Sequence, residues 1–203
     1  HWQQQFIDAT SQILDTLAPR GAADLVQDYA MPVSAQALIA MTGLTNMIWR
    51  EMDRVSQGMI DGCSNYHGDP ETTARCHDCT ASIERHIEAR MPALWANPDR
   101  SLLSVQMQAD LSQAQIHANL KLAISGGQNE PRDAIAGAAW AVLHHPQQRA
   151  LIKSGAHSWM DAFEEYARWM SPIGMSPRRV TQDYEIGGVP IAAEARAFFM
   201  FGS

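Results

Sequence analysis

The chain has 203 residues, 46% of them hydrophobic and 18% charged, which suits one well-packed domain and argues against disorder. Its formal net charge of −7 is the wrong balance for nucleic acid, whose binding needs clustered Lys and Arg. The longest nearly apolar run, residues 134–143, falls far short of the roughly 20 residues that cross a bilayer, so no membrane partner is expected.

The predicted elements are mostly helices. Phe6, Ile13 and Leu17 share one face of an opening helix that ends before Pro19. Asp24-Leu25-Val26 reads as a short connector. Pro32 suits the first turn of a second helix, which Gly43 terminates. Met47, Trp49, Met52, Val55, Met59 and Ile60 give a third. Asp69-Pro70-Glu71 has an N-cap, a first-turn proline and an acid that complements the helix dipole. The fourth helix that follows carries Ile83, Ile87 and Met91, and Pro92 is expected to stop it. Residues 102–107 suggest a brief helix.

Ser112 and Gln115 form a capping-box pattern, and the helical pattern after them continues to His144. That is about 30 residues, or roughly 45 Å of helix. Its centre is chemically odd: Ala123-Ile124-Ser125-Gly126-Gly127-Gln128-Asn129-Glu130-Pro131. Each Gly costs about 1 kcal/mol in a helix interior and Pro about 3. Pro131 also has no N–H for the carbonyl of Gly127, so the helix should open or kink there. Ala123, Gly127, Ala134 and Ala138 then give a face almost without bulk. Such a face suits a crossing helix or a broad flat cofactor.

His145-Pro146 closes this helix, and Pro146 opens a short one. Residues 161–170 form another. After Pro172 the period changes: residues 180–186 read as a strand, Gly187-Gly188 as a tight turn, and residues 189–191 and 197–201 as further strands. The fold class is therefore mainly α with a small antiparallel sheet. Residues 1–171 are helical and residues 172–203 β-rich, within one domain that spans 1–203. Because the chain opens on His1 and stops after the apolar run 197–201, it reads as an internal, incomplete piece of a longer protein.

Three cysteines, Cys63, Cys76 and Cys79, with no secretory pattern suggest reduced thiols in a cytoplasmic protein. Cys76-His77-Asp78-Cys79 lacks the second pair that a tetrahedral zinc site needs, so helix packing explains it better than metal. No metal ligand is expected within the chain.

Three stretches together resemble the bacterial cytochrome P-450 family across nearly the whole length. The first is Gly126-Gly127-Gln128-Asn129-Glu130 with Leu143-His144-His145-Pro146-Gln147 downstream. The second is Glu165-Tyr166-Ala167-Arg168 followed by Trp169-Met170-Ser171-Pro172. The third is Arg178-Arg179-Val180-Thr181-Gln182-Asp183-Tyr184-Glu185-Ile186-Gly187-Gly188. Each is weak alone; their order and spacing are specific.

The resemblance implies a haem-thiolate monooxygenase that binds haem b and inserts one oxygen atom into a small apolar substrate, with electrons from a ferredoxin-type donor. It places Ala123, Gly126 and Gly127 over the haem and gives Arg178 to a haem propionate, which a guanidinium suits bidentately. It lines the substrate pocket with Ile173 and Met175, and makes Glu165 and Arg168 a buried structural ion pair. The family's proton-relaying acid and alcohol map onto Asn129 and Glu130. Asn cannot act as an acid, so Glu130 becomes the candidate proton donor. The family's Phe-Gly-x-Gly-x-x-x-Cys ligand loop has no counterpart in these residues. The chain alone is thus expected to give no thiolate-haem signature. The competing reading is a non-catalytic helical fragment or degenerate relative that binds no haem.

Overall fold

The computed structural model describes residues 2–201. It divides into two compact units, residues 1–136 and 137–203.

The first unit is helical. It contains α1 (Trp2–Leu17), α2 (Met31–Thr42), α3 (Trp49–Cys63), α4 (Pro70–Ala96), α5 (Leu102–Met107), α6 (Gln113–Gly127) and the start of α7 (Asn129–His144). Helix boundaries follow side-chain chemistry. Gly43 ends α2 at φ 85°, a left-handed conformation that glycine takes without a Cβ penalty. The Asp69 carboxylate accepts from the Thr72 N–H to start α4, and Ser112 and Gln115 close a reciprocal capping box on α6. The core gathers Leu38, Met52, Val55, Ile83, Ile87, Leu103, Leu120 and Ile124. At about 25 cal/mol per Å2 of apolar surface, these side chains supply most of the unit's stability.

Two expectations change here. Asp24 is not part of a connector. Its carboxylate accepts from the N–H groups of Val26 and Gln27 and caps a π-helical turn, Leu25–Ala30, that leads into α2. Pro92 does not stop α4, which continues to Ala96. A proline inside a helix costs about 3 kcal/mol, and burial of Leu94 two residues later offsets it.

The second unit contains the rest of α7, then α8 (Pro146–Lys153), α9 (Trp159–Met170) and four strands: β1 (Met175–Arg179), β2 (Tyr184–Ile186), β3 (Val189–Ile191) and β4 (Arg196–Met200). β1 pairs antiparallel with β4, with Met175 opposite Met200 and Arg179 opposite Arg196. β2 pairs antiparallel with β3 across Gly187-Gly188, both with positive φ, the geometry of a two-residue hairpin turn. The strand expected over residues 180–186 is therefore corrected. Pro177, which lacks an N–H, argues against a strand around it, yet β1 has a single partner strand and tolerates it on its free side. Residues 180–183 instead carry the chain between the two sheets.

No helix among the described residues is long and apolar enough to cross a membrane.

Candidate functional site

Along α6 the buried residues run Ile116, Leu120 and Ile124, one every four residues. The next position in that stripe is Gln128, fully buried and polar. The long helix breaks at this residue, between α6 and α7, so the break expected near Gly127 is present. It falls three residues ahead of Pro131 because proline fits the first turn of a helix, where its missing N–H would have no intrahelical partner.

Two neighbouring helices supply polar groups to the break. From α2, the Ser34 hydroxyl donates to the backbone carbonyl of Gln128 at 2.7 Å. One turn along, Leu38 packs on Gly127, and a Cβ at Gly127 would press against its methyl group. From α3, the Ser56 hydroxyl donates to the Ile124 carbonyl at 3.0 Å. One turn before it, Asp53 accepts from the Gln128 side-chain amide at 3.2 Å, and that amide also reaches the Met31 carbonyl at 3.4 Å. None of Ser34, Asp53 or Ser56 belongs to a recognisable motif, and sequence reasoning did not single them out. The one available hint was Gln128 standing where an apolar stripe predicts a Leu or Ile.

The glycines behave differently from each other. Gly126 has open space where a side chain would stand, whereas Gly127 faces Leu38 inside the helical core. Ala123 is half-buried. Immediately after the break, Asn129 Oδ1 and Glu130 Oε2 are buried without a hydrogen-bond partner, and so is Gln128 Oε1. Three consecutive residues thus carry unsatisfied acceptor oxygens. Each is costly, about 1–3 kcal/mol, unless a donor such as water meets it.

The other candidate residues lie in the second unit. Glu165 and Arg168 do pair bidentately, at 2.7 and 2.6 Å. The expected burial is corrected, however, because their side chains remain 64% and 70% exposed. The i, i+3 spacing is enough to bring them together on α9, but nothing among the described residues covers them. The Arg168 hydrogen bonds hold the Glu165 carboxyl below its ordinary value. Arg178 is exposed, and its guanidinium donates to the Ser176 hydroxyl and the Pro177 carbonyl. Ile173 and Met175 are exposed as well. Between Glu165 and Arg168 on α9, Tyr166 is the buried member, and a Cβ at Gly137 would overlap its hydroxyl and ring. Trp169 stacks on Trp140 and meets His145 edge-on.

The cysteines have a packing role. A Cβ at Gly58 would strike the sulfur of Cys79, and one at Gly62 the sulfur of Cys76, so α3 and α4 approach closely along this seam. Burial pushes the Cys79 thiol up, which keeps it protonated.

No family model matches the chain. Curated relatives do. The chain is 24% identical over 206 residues to the steroid C26-monooxygenase of Mycolicibacterium smegmatis, a match covering 97% of this chain and 51% of that protein. It is 25% identical over 206 residues to a cytochrome P-450, FAS1, of Rhodococcoides fascians, covering 94% of this chain and 47% of the relative. Among solved structures, CYP109E1 from Bacillus megaterium in complex with testosterone superposes with a TM-score of 0.84 at 16% identity, covering 99% of this chain and 55% of that one. The chain spans about half the length of the relatives it matches. In sequence the chain is similar to bacterial cytochromes P-450, and its fold is that of the matching half of such a protein.

Proposed function

We propose that these residues are part of a bacterial, cytoplasmic haem-thiolate monooxygenase acting on a small apolar organic substrate, with electrons from a ferredoxin-type donor. One oxygen atom of dioxygen enters the substrate and the other leaves as water, consuming two electrons and two protons; haem b supplies the oxygen activation. The observation that carries the reading is the α6–α7 break, with open space at Gly126 and unpaired oxygens on Gln128, Asn129 and Glu130.

Taken unit by unit, the residues present have chemistry that would suit a haem. Ala123 and Gly126 offer a surface with little side-chain bulk beside the break, and the Arg178 guanidinium is chemically matched to a propionate. Gly127, packed on Leu38, serves the haem only by letting α2 approach the break. None of Cys63, Cys76 and Cys79 suits the role of iron ligand: Cys76 and Cys79 are engaged with α3, and Cys63 lies exposed at the end of that helix. The thiolate is therefore assigned to residues of the parent protein outside this chain. Ile173 and Met175 are the apolar side chains offered to substrate. Apolar substrates are in keeping with the matched steroid C26-monooxygenase and with CYP109E1 in its testosterone complex.

Glu130 is the proposed proton donor, since Asn129 has no acidic proton and its oxygen can only accept. Water meeting the three unpaired oxygens would link Glu130 to the reacting centre. In the parent protein, 18O2 is expected to label the product with a single oxygen atom. Glu130→Gln keeps shape and hydrogen bonding while removing the proton, and turnover is expected to fall about 10²-fold. Supplying hydrogen peroxide, which brings its own protons, is expected to restore part of it. Unlabelled product would defeat the monooxygenase reading. Unchanged turnover in Glu130→Gln would reduce Glu130 to a structural role.

A further inference from the structure

We propose that Gln128, held by Asp53, is a positioning residue that determines where Asn129 and Glu130 present their unpaired oxygens. The proposal rests on the proton-delivery reading above and adds a residue pair to it.

A leucine at position 128 would continue the stripe of Ile116, Leu120 and Ile124 without any polar cost. The chain instead buries a whole amide there with no exposure. Burying an amide is unfavourable unless its groups are paired. The amide nitrogen has two acceptors, the Asp53 carboxylate and the Met31 carbonyl. Two acceptors on one side settle which end of the amide is nitrogen. Oε1 is thereby turned away from Asp53, and it is the atom left without a partner.

Ser34 and Ser56 grip backbone carbonyls at the same break, one on Gln128 itself and one on Ile124. Three side chains from two helices therefore fasten five residues of a third. Of these three side chains only Asp53 acts through the Gln128 side chain, so its contact alone can be removed by substitution at either end. Residues 129 and 130 follow directly, and their peptide planes inherit the orientation of residue 128. A displacement on the order of 1 Å at a reacting group is enough to cost about 10²-fold in rate.

The test uses the parent protein with Gln128→Met, Asp53→Ala, the double variant and Asp53→Asn. Gln128→Met is unbranched and close in volume, so folding is preserved. The readouts are the share of reductant released as hydrogen peroxide, peroxide-driven turnover and the urea midpoint followed by circular dichroism. Each single variant is expected to raise peroxide release about 10-fold, within the cost set by misplacement. The double variant is expected to match the larger single effect, because both remove the Asp53–Gln128 contact, and urea midpoints are expected to be non-additive in the same way. Asp53→Asn retains an oxygen that accepts from the Gln128 amide, so it is expected to behave like the wild type. Peroxide-driven turnover is expected to stay within about two-fold throughout, since it bypasses proton delivery.

Additive effects, failure of Asp53→Asn to rescue, or a parallel loss of peroxide-driven turnover would each overturn the proposal. The underlying reading is tested separately by Glu130→Gln. If that variant turns over normally while the 53–128 effects stay non-additive, Glu130 is not the donor and the positioning pair stands.

Discussion

The two units solve the burial problem differently. In the first, helices α1 to α6 enclose a core of Leu, Ile, Met and Val side chains, and the buried hydroxyls of Ser34 and Ser56 find partners at the end of α6. In the second, Tyr166 is the one buried hydrophobic side chain among the described residues, while Trp159, Phe163, Trp169, Phe198 and Phe199 stand largely in solvent. Yet both units have well-formed helices, caps and turns: Ser158 and Asp161 make a capping box as complete as that of Ser112 and Gln115. Local chemistry thus shapes elements whether or not a core forms behind them.

The largest consequence concerns hydrogen exchange in the 203-residue chain. Amides of α3, α4 and α6 are expected to exchange at least about 10³-fold more slowly than those of the β2–β3 hairpin, since core elements open only with global unfolding and an isolated hairpin is marginal. Equal protection in both units would erase the contrast.

Truncation sharpens it next. Leu120→Ala removes a fully buried side chain and is expected to cost about 2–5 kcal/mol in urea denaturation. Phe199→Ala, at an exposed site, is expected to change stability by no more than about 0.5 kcal/mol.

Glycines in the first unit give a smaller effect of defined sign. Gly58→Ala drives a methyl group into the Cys79 sulfur and is expected to destabilise by about 1–3 kcal/mol. Gly126→Ala enters open space in a helix and is expected to gain about 0.5–1 kcal/mol. In the parent protein that same Gly126 substitution is expected to weaken haem retention if the surface beside the break lies against the cofactor.

The smallest effects separate two ion pairs of similar geometry. Arg54 holds the half-buried Glu51 bidentately at 2.7 and 2.8 Å and depresses its carboxyl, helped by the Ser82 hydroxyl. A depressed carboxylate contributes stability above its unfolded pKa, about 4.3, and loses it as pH falls through the lower folded value. Arg54→Met is therefore expected to cost about 0.5–1 kcal/mol at pH 7, allowing for solvent screening, with the difference from wild type vanishing below the ordinary carboxylate range. Arg168→Ala, which breaks the exposed pair with Glu165, is expected to leave the urea midpoint of this chain unchanged. A clear loss would mean that the pair is covered after all.

Much of the local architecture was legible from residue type. Asp69, Ser112 and Pro146 start helices, Gly43 ends one, and Gly187-Gly188 turns a hairpin, because caps and positive-φ turns depend on one or two side chains. The break near Gly127 followed from proline's missing N–H, and the resemblance to cytochromes P-450 followed from motif order. What only the tertiary structure decided is where long-range burial operates. It carried α4 past Pro92, because Leu94 reaches the core, and it paired β1 with β4 across Pro177. It placed Gly127 on Leu38 while leaving Gly126 open, although the two are adjacent and chemically identical. It also brought Asp53 and Ser34 to Gln128, across 75 and 94 residues of chain, and Ser56 to the Ile124 carbonyl one turn before it. Polar side chains on helix faces look alike in sequence; which of them meets a broken helix depends on how three helices cross, and no local pattern encodes that.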